Sequence, residues 1–292
     1  MELHQLRYLR AVLRTGSVTA AAVAEHVAQP SVSKQLRLLE RELGVPLFHR
    51  VGRRVVPTDA ALQLADCADR VLDDLATTAT ALAGPASRVG GSVRVCATET
   101  LVNFLLPAAL SRLRAELPAA SVRVEMLGTS DVVAHVLTDE VDFGLLPLPL
   151  FDSRVEAQPL LAEDILAVVP PDHAWARRQR IDLTALIGAP DLLLSMPGMG
   201  LRAQLDTAAQ SLGVVVRGPI EIRSQQALLT LVAAGSGVAL APAMCLAGRR
   251  DVRGVPIEPP MRREIVWVRR RGRHISAPGL RLIELIATAD PA

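Results

Sequence analysis

The stretch that decides the fold runs from Gly16 to Ala61, GSVTAAAVAEHVAQPSVSKQLRLLERELGVPLFHRVGRRVVPTDAA. Just before it, Leu3, Leu6, Leu9 and Leu13 recur at roughly helical spacing, so residues 3–14 read as an amphipathic helix ended at Gly16. Ser17 then caps a second helix, because its hydroxyl can accept from exposed first-turn amides. The small stripe Ala20, Ala21, Ala24 lets a neighbouring helix approach closely. After a break from His26 to Gln29, Pro30 stands where proline suits the first helical position. Val32, Leu36, Leu39 and Leu43 follow at three- and four-residue steps until Gly44 and Pro46 stop the helix. Three short helices, the second and third joined by a few residues, make a helix-turn-helix.

The outer face of the third helix offers Gln29, Ser31, Ser33, Lys34 and Arg37, with no acidic residue until Glu40. Small hydroxyls let the backbone approach phosphates, a helix amino end attracts them, and Gln, Lys and Arg can bond base edges in a major groove. A solvated amphipathic surface is the alternative, but such a surface normally mixes in Asp or Glu. HRVGRRVVPTDA follows, in which Arg50, Arg53 and Arg54 flank a glycine turn between short β-branched stretches. It reads as a two-stranded wing that presents guanidinium groups to a nucleic-acid backbone or minor groove, with a plain charged hairpin as the alternative.

Charge agrees with that placement. The chain has 292 residues with 32 basic and 30 acidic side chains, a net of +2. Residues 1–60 hold nine Arg or Lys against five Asp or Glu, leaving 23 against 25 for the rest, so a head of +4 precedes a body of −2. An imbalance of this kind points to a polyanion partner at one end. Lys34 is the single lysine, a bias that fits GC-rich coding.

From Thr58 the chain is rich in Ala and Leu with no breaker until Gly84 and Pro85. A helix of about 27 residues is ~40 Å long, which suits pairing with a second copy. Leu62, Ala65, Ala68, Leu72, Leu75, Ala79 and Leu82 give it an apolar seam. Packing of this helix on its own chain is the competing reading.

The run quoted above resembles the amino-terminal signature of the LysR-type transcriptional regulators, densely over residues 1 to about 60 and more loosely beyond. AQPSVSKQLRLLERELGVPLF fixes residue types across a whole helix and its exit, so the motif is highly specific. The resemblance implies an N-terminal all-α winged helix-turn-helix over 1–58, a long linker and dimerisation helix over 59–87, and an α/β effector-binding domain over 92–292. That domain is expected to be periplasmic-binding-protein-like, with one subdomain at 92–162 plus 266–292 and the other at 163–265. On the same ground Gln29, Pro30, Ser31, Ser33, Lys34 and Arg37 fall on or at the start of the recognition helix, and Arg53 and Arg54 at the wing. Lys34 takes a place where the family often has arginine, which puts a point charge where a bidentate fork is usual.

After the polar joint Ser87 to Gly91 the pattern becomes α/β. SVRVCA, ASVRVEML and VDFGLL read as strands, with an apolar helix within Leu101 to Leu117 and another beginning near Ser130. A second set follows: DILAVV, DLLLS, a helix from about Gly200 to Leu212, GPIEI, a helix from Ser224 to Ala234, and VALAP. EIVWVRR and the helix Leu280 to Ala287 close the chain. Strands alternating with helices predict parallel sheets. Ligands in such sheets sit beyond strand carboxyl ends, near helix amino ends. Those places hold Thr98, Thr100, Thr129, Ser130 and Pro147 in the first set, and Ser195 and Ser224 in the second. Hydroxyls beside helix starts suit a carboxylate, and Arg202 could supply a positive charge; each hydroxyl taken singly could equally be a cap that binds nothing.

Other classes fit poorly. Ser224 to Gly248 is uncharged for 25 positions, but Gly235-Ser236-Gly237 and Pro242 break it, so it reads as buried helix, turn and strand rather than a membrane span. Cys67, Cys96 and Cys245 form no CxxC pair, six histidines are scattered, and no P-loop, HExxH or GxSxG occurs. No disulfide, metal, cofactor or catalytic residue is therefore expected, and the chain reads as cytoplasmic, without a secretory signal. The expected function is a regulator of transcription that binds double-stranded DNA under control of a small-molecule effector, an organic acid being one class that fits. The expected assembly is a homotetramer built as a dimer of dimers, with RNA polymerase as a further partner. A cytoplasmic small-molecule binding protein and a thiol-sensing regulator are the alternatives.

Overall fold

The computed structural model describes residues 1–51, 54–82, 91–150 and 152–288. The chain divides into two compact units, Met1–Gly91 and Ser92–Ala292.

The first unit opens with α1 (Leu3–Thr15), α2 (Val18–Ala24) and α3 (Gln29–Leu43). Each boundary has a local cause. Gly16 and Gly44 end α1 and α3 in the left-handed region, with φ of 66° and 71°, where a side chain would be strained. The Ser17 hydroxyl accepts from the Ala20 amide and caps α2. Leu9, Val12, Ala21, Val32, Leu36 and Leu39 bury the facing sides of the three helices in one core. Strands β1 (Phe48–Val51) and β2 (Arg54–Pro57) pair antiparallel, and α4 (Asp59–Leu82) follows. The Thr58 hydroxyl accepts from the Ala61 amide at 3.1 Å, which starts α4 at the residue the sequence suggested. Arg53 of the expected wing and residues 83–87 of the expected linker lie outside the described residues, as does the joint up to residue 90.

The second unit begins with β3 (Ser92–Ala97), a single π-helical turn (Leu101–Leu105) that runs into α5 (Leu106–Glu116), then β4 (Ser121–Met126), α6 (Thr129–Leu137) and β5 (Phe143–Pro147). The long strand β6 (Val155–Val169) leads to β7 (Ile181–Asp182), α7 (Leu183–Ile187), β8 (Leu193–Ser195), α8 (Gly200–Ser211), β9 (Ile220–Ile222), α9 (Gln225–Ala233) and β10 (Ala239–Pro242). The equally long β11 (Arg253–Arg270) returns, and α10 (Ala277–Ala287) packs on α5.

The expectation of parallel sheets holds for β3 with β4, β3 with β5, and β8 with β9. It does not hold for the centre. β6 and β11 pair antiparallel over almost their whole length, and each carries a second antiparallel neighbour, β10 and β5 respectively. One mixed sheet in the order β10-β6-β11-β5-β3-β4 therefore runs through both sets of elements, instead of two separate parallel sheets. The core follows the same path: one apolar cluster joins Val95, Leu105, Phe143 and Leu285 to Leu228, Val232, Ala241 and Met244. The two long antiparallel strands run through both sets of elements, and the segment after β3 meets the start of α9.

Candidate nucleic-acid interface and effector cleft

The amino half of α3 is built for close approach. Ala28 at its cap offers no side-chain acceptor, Pro30 lies in the first turn, and no acidic residue is present there, so the helix amino end keeps its positive character. Pro30, Ser31, Lys34 and Arg37 are exposed, while Gln29 and Ser33 are half-buried. The Gln29 amide donates to the Ser33 hydroxyl at 2.8 Å, which fixes its plane and leaves the carbonyl oxygen and a second N–H for another partner. Arg37 donates to the Ser33 carbonyl at 3.1 Å, and Arg41 to the Arg37 carbonyl at 3.3 Å. Lys34, Arg37, Glu40 and Arg41 line one open concavity with Gly44 and Pro46. Arg41 escaped the sequence reading, although its spacing of seven from Lys34 puts it on the same helix face. Glu40, inside that run, is turned to structure: its carboxylate accepts from the Leu47 and Phe48 amides at 2.8 and 3.2 Å and ties α3 to β1. Arg54 begins β2, in register with Val51.

On α4 the expected seam is divided. Ala68 is buried and Arg10 of α1 pairs with Asp69 at 3.5 Å, so one face of the helix packs on its own unit. Leu75, 46% exposed, lies two turns beyond Ala68 on the same side of the helix and is left uncovered there, while Leu62 and Val71 are exposed on other sides.

In the second unit the hydroxyl groups singled out from the sequence divide into used and unused ones. Thr98 follows β3 and its amide donates to Leu145, but its hydroxyl is buried with no hydrogen-bond partner. Thr100 is buried and its hydroxyl accepts from Arg263 at 3.0 Å. Thr129 and Ser130 open α6 behind Gly128, with Thr129 half-buried and Ser130 exposed. Pro147 ends β5 opposite the start of α8, 3.9 Å from where a Cβ on Gly200 would stand. Ser195 ends β8 and is buried, and Ser224 caps α9 by accepting from the Ala227 amide. Of these places, the end of β3 and the start of α9 meet through polar contacts: Glu99 accepts from the Ser224 hydroxyl at 2.7 Å and the Gln225 amide at 3.0 Å. Glu163 accepts from Arg263 and from the Met244 amide, both at 2.8 Å.

Arg202 is placed differently from the expectation of a free positive charge. Its buried guanidinium donates to Asp206 at 2.9 Å, to Glu221 at 2.8 Å and to the Ser195 carbonyl at 3.1 Å. Burial pulls its pKa down, but the hydrogen bonds it donates to Glu221 and Asp206 outweigh that and hold it above the usual arginine value. Asp206, four residues on, was the available signal: an i,i+4 partner on the same helix face. Glu99, Glu163 and Arg263 were not found from the sequence, because each matters only through a partner 81 to 163 positions away.

The two buried thiols are chemically quiet. Burial, with the Glu125 charge added, pushes Cys96 up to about 12. Burial also raises Cys245 to about 12 against the opposing charge of Arg263. Among the described residues no cluster of His, Cys, Asp or Glu could hold a metal ion, and no helix is long and apolar enough to cross a membrane.

Residues 3–62 match the model for the bacterial regulatory helix-turn-helix proteins of the LysR family, and residues 86–290 match the LysR substrate binding domain. The DNA-binding transcriptional dual regulator OxyR of Escherichia coli is 30% identical over 290 residues, covering 98% of this chain and 95% of that one. The RuBisCO operon transcriptional regulator of Allochromatium vinosum is 28% identical over 284 residues, with 94% and 92% covered. Among solved structures, an OxyR variant from Corynebacterium glutamicum superposes with a TM-score of 0.71 at 26% identity, covering 98% of this chain and 91% of that chain.

Proposed function

The chain belongs to the LysR family of transcriptional regulators, and from that membership we propose how its residues divide the work. Gln29, Pro30, Ser31 and Ser33 meet base edges in the major groove, while Lys34 and Arg37 of α3 and Arg53 and Arg54 of the wing hold phosphates. The observation that carries this reading is the exposed amino half of α3, free of acidic side chains and fixed by the Gln29–Ser33 bond. The apolar seam of α4 beyond its packed first turns, where Leu75 is exposed, joins two copies, and dimers pair into a tetramer. The second unit holds a small molecule between its halves, among Thr98, Thr100, Thr129, Pro147 and Ser224, with Ser130 and Ser195 at the margins. A ligand that prefers one arrangement of the halves shifts the population and with it the spacing of the DNA-binding heads. The chain acts in the cytoplasm, as a regulator and not as an enzyme, with RNA polymerase as the downstream partner.

Cys96 and Cys245 are buried and protonated at neutral pH and do not favour the thiol-sensing alternative, since the thiolate is the reactive form, which leaves half-buried Cys67 as the thiol open to reagents. A mobility-shift assay on the duplex upstream of the chain's own gene tests the regulator reading. A specific complex at moderate salt is expected. Binding indistinguishable from that to scrambled duplex would refute it.

A further inference from the structure

Glu99 stands in the first helical turn after β3, which runs into the π-helical turn, and its carboxylate crosses to the amino end of α9, 125 residues away in sequence. One oxygen accepts from the Ser224 hydroxyl at 2.7 Å and the other from the Gln225 amide at 3.0 Å. Ser224 at the same time caps the helix through the Ala227 amide at 3.3 Å. The Gln225 side chain is buried and donates to the Leu240 carbonyl, so this end of α9 is held rigidly. A helix amino end carries about half a positive charge and favours a carboxylate. Here the carboxylate comes from the opposite half of the same unit.

Two buried guanidinium groups of this unit are neutralised as well. Arg263 is paired with Glu163, and Arg202 with Glu221 and Asp206. The Thr98 hydroxyl, one residue before Glu99, is buried without a hydrogen-bond partner, a condition that usually marks a group awaiting one, while Arg223, next to Ser224, is exposed to solvent.

We propose that Glu99 is a specificity-determining residue of the cleft, supplying from within the chain the carboxylate that α9 would otherwise draw from a ligand. The effector is then an uncharged polar molecule, with hydroxyl or amide groups that can meet the Thr98 hydroxyl. A carboxylate ligand enters only by displacing Glu99. This assignment rests on the reading of the cleft as the effector site and narrows it away from organic acids.

The test uses the full-length protein and acetate as the probe. Wild type, Glu99→Ala and Glu99→Gln are melted in sodium acetate and in sodium chloride of equal ionic strength. Wild type is expected to show only the small general stabilisation that acetate gives over chloride. Glu99→Ala is expected to melt lower in chloride and to recover most of the loss in acetate, whereas Glu99→Gln, which keeps an acceptor in place, gains no more from acetate than wild type does. A folded Glu99→Ala protein with no acetate-specific gain overturns the proposal, as does an equal gain in wild type. If Glu99→Ala does not fold in chloride, recovery of folded protein on refolding in acetate is the readout, and failure in both salts also overturns it. The effector reading is checked apart from this: a neutral ligand that stabilises wild type and Thr98→Val equally overturns the cleft as its site, even where acetate rescue has succeeded.

Discussion

Glu163 on β6 and Arg263 on β11 stand directly opposite each other in the sheet and form an ion pair at 2.7 Å, their side chains only 5% and 7% exposed. Each also reaches outward, Arg263 to the Thr100 hydroxyl and Glu163 to the Met244 amide. The pair thus joins the loop after β3, the two long strands and the turn after β10.

Removing one member of this pair leaves the other charged and buried. Arg263→Met or Glu163→Gln alone is expected to cost about 3–5 kcal/mol in urea unfolding, while the double replacement of both by Met costs clearly less. Single losses below about 1 kcal/mol would mean that water reaches the pair.

On DNA the side chains of the first unit are expected to separate by role. Lys34→Ala and Arg53→Ala weaken binding on every sequence and lower the slope of log affinity against log salt by about 1 each. Gln29→Ala or Ser33→Ala changes which sequence is preferred, by roughly 1–3 kcal/mol at the base concerned. Competition titrations over a set of point-substituted duplexes read both effects, and uniform losses for all four variants would contradict the division.

The exposed seam of α4 predicts self-association. Leu75 is 46% exposed within one chain, so Leu75→Asp leaves the fold of the unit intact and reduces the assembly to smaller species in sedimentation velocity. An unchanged sedimentation profile would place the interface elsewhere.

The thiols give a pH prediction. Cys96 and Cys245 are raised from an ordinary 9.0 to about 12 in the folded chain. A group whose folded pKa is raised stabilises fully below its unfolded pKa, and that contribution fades as pH climbs toward the folded value. Stability should therefore fall between about pH 9 and 12, and Cys96→Ala should flatten that fall. In native protein at neutral pH an aromatic disulfide reagent should titrate Cys67 alone, and all three cysteines in urea. Rapid labelling of Cys96 or Cys245 in the native state would contradict their burial.

The first unit was legible because its signals are local. Gly16, Ser17, Pro30 and Gly44 mark helix ends by backbone preference alone, and the leucine spacing marks the buried faces. The second unit hid its centre. β11 contains Pro256, Pro259 and Pro260, which read as breakers, yet the register slips between Pro256 and Met261 and the strand continues past them. In β6, Pro159 and the acidic pair Glu163-Asp164 masked all but its last turn of apolar residues, so only DILAVV stood out. The antiparallel core was missed for that reason. Likewise Ser224 was found as a cap, but Glu99, its partner, is an unremarkable helix-start glutamate until the chain folds it across.

The central claim is that the acid-free amino half of α3 reads DNA sequence. The direct measurement is fluorescence anisotropy at about 0.15 M salt, comparing the duplex upstream of the chain's own gene with scrambled duplex, for wild type and for Gln29→Ala with Ser33→Ala. Wild type should prefer the upstream duplex by about 10³-fold or more. The double variant should lose most of that ratio while its binding to scrambled duplex stays the same. Equal ratios for both proteins would contradict the account.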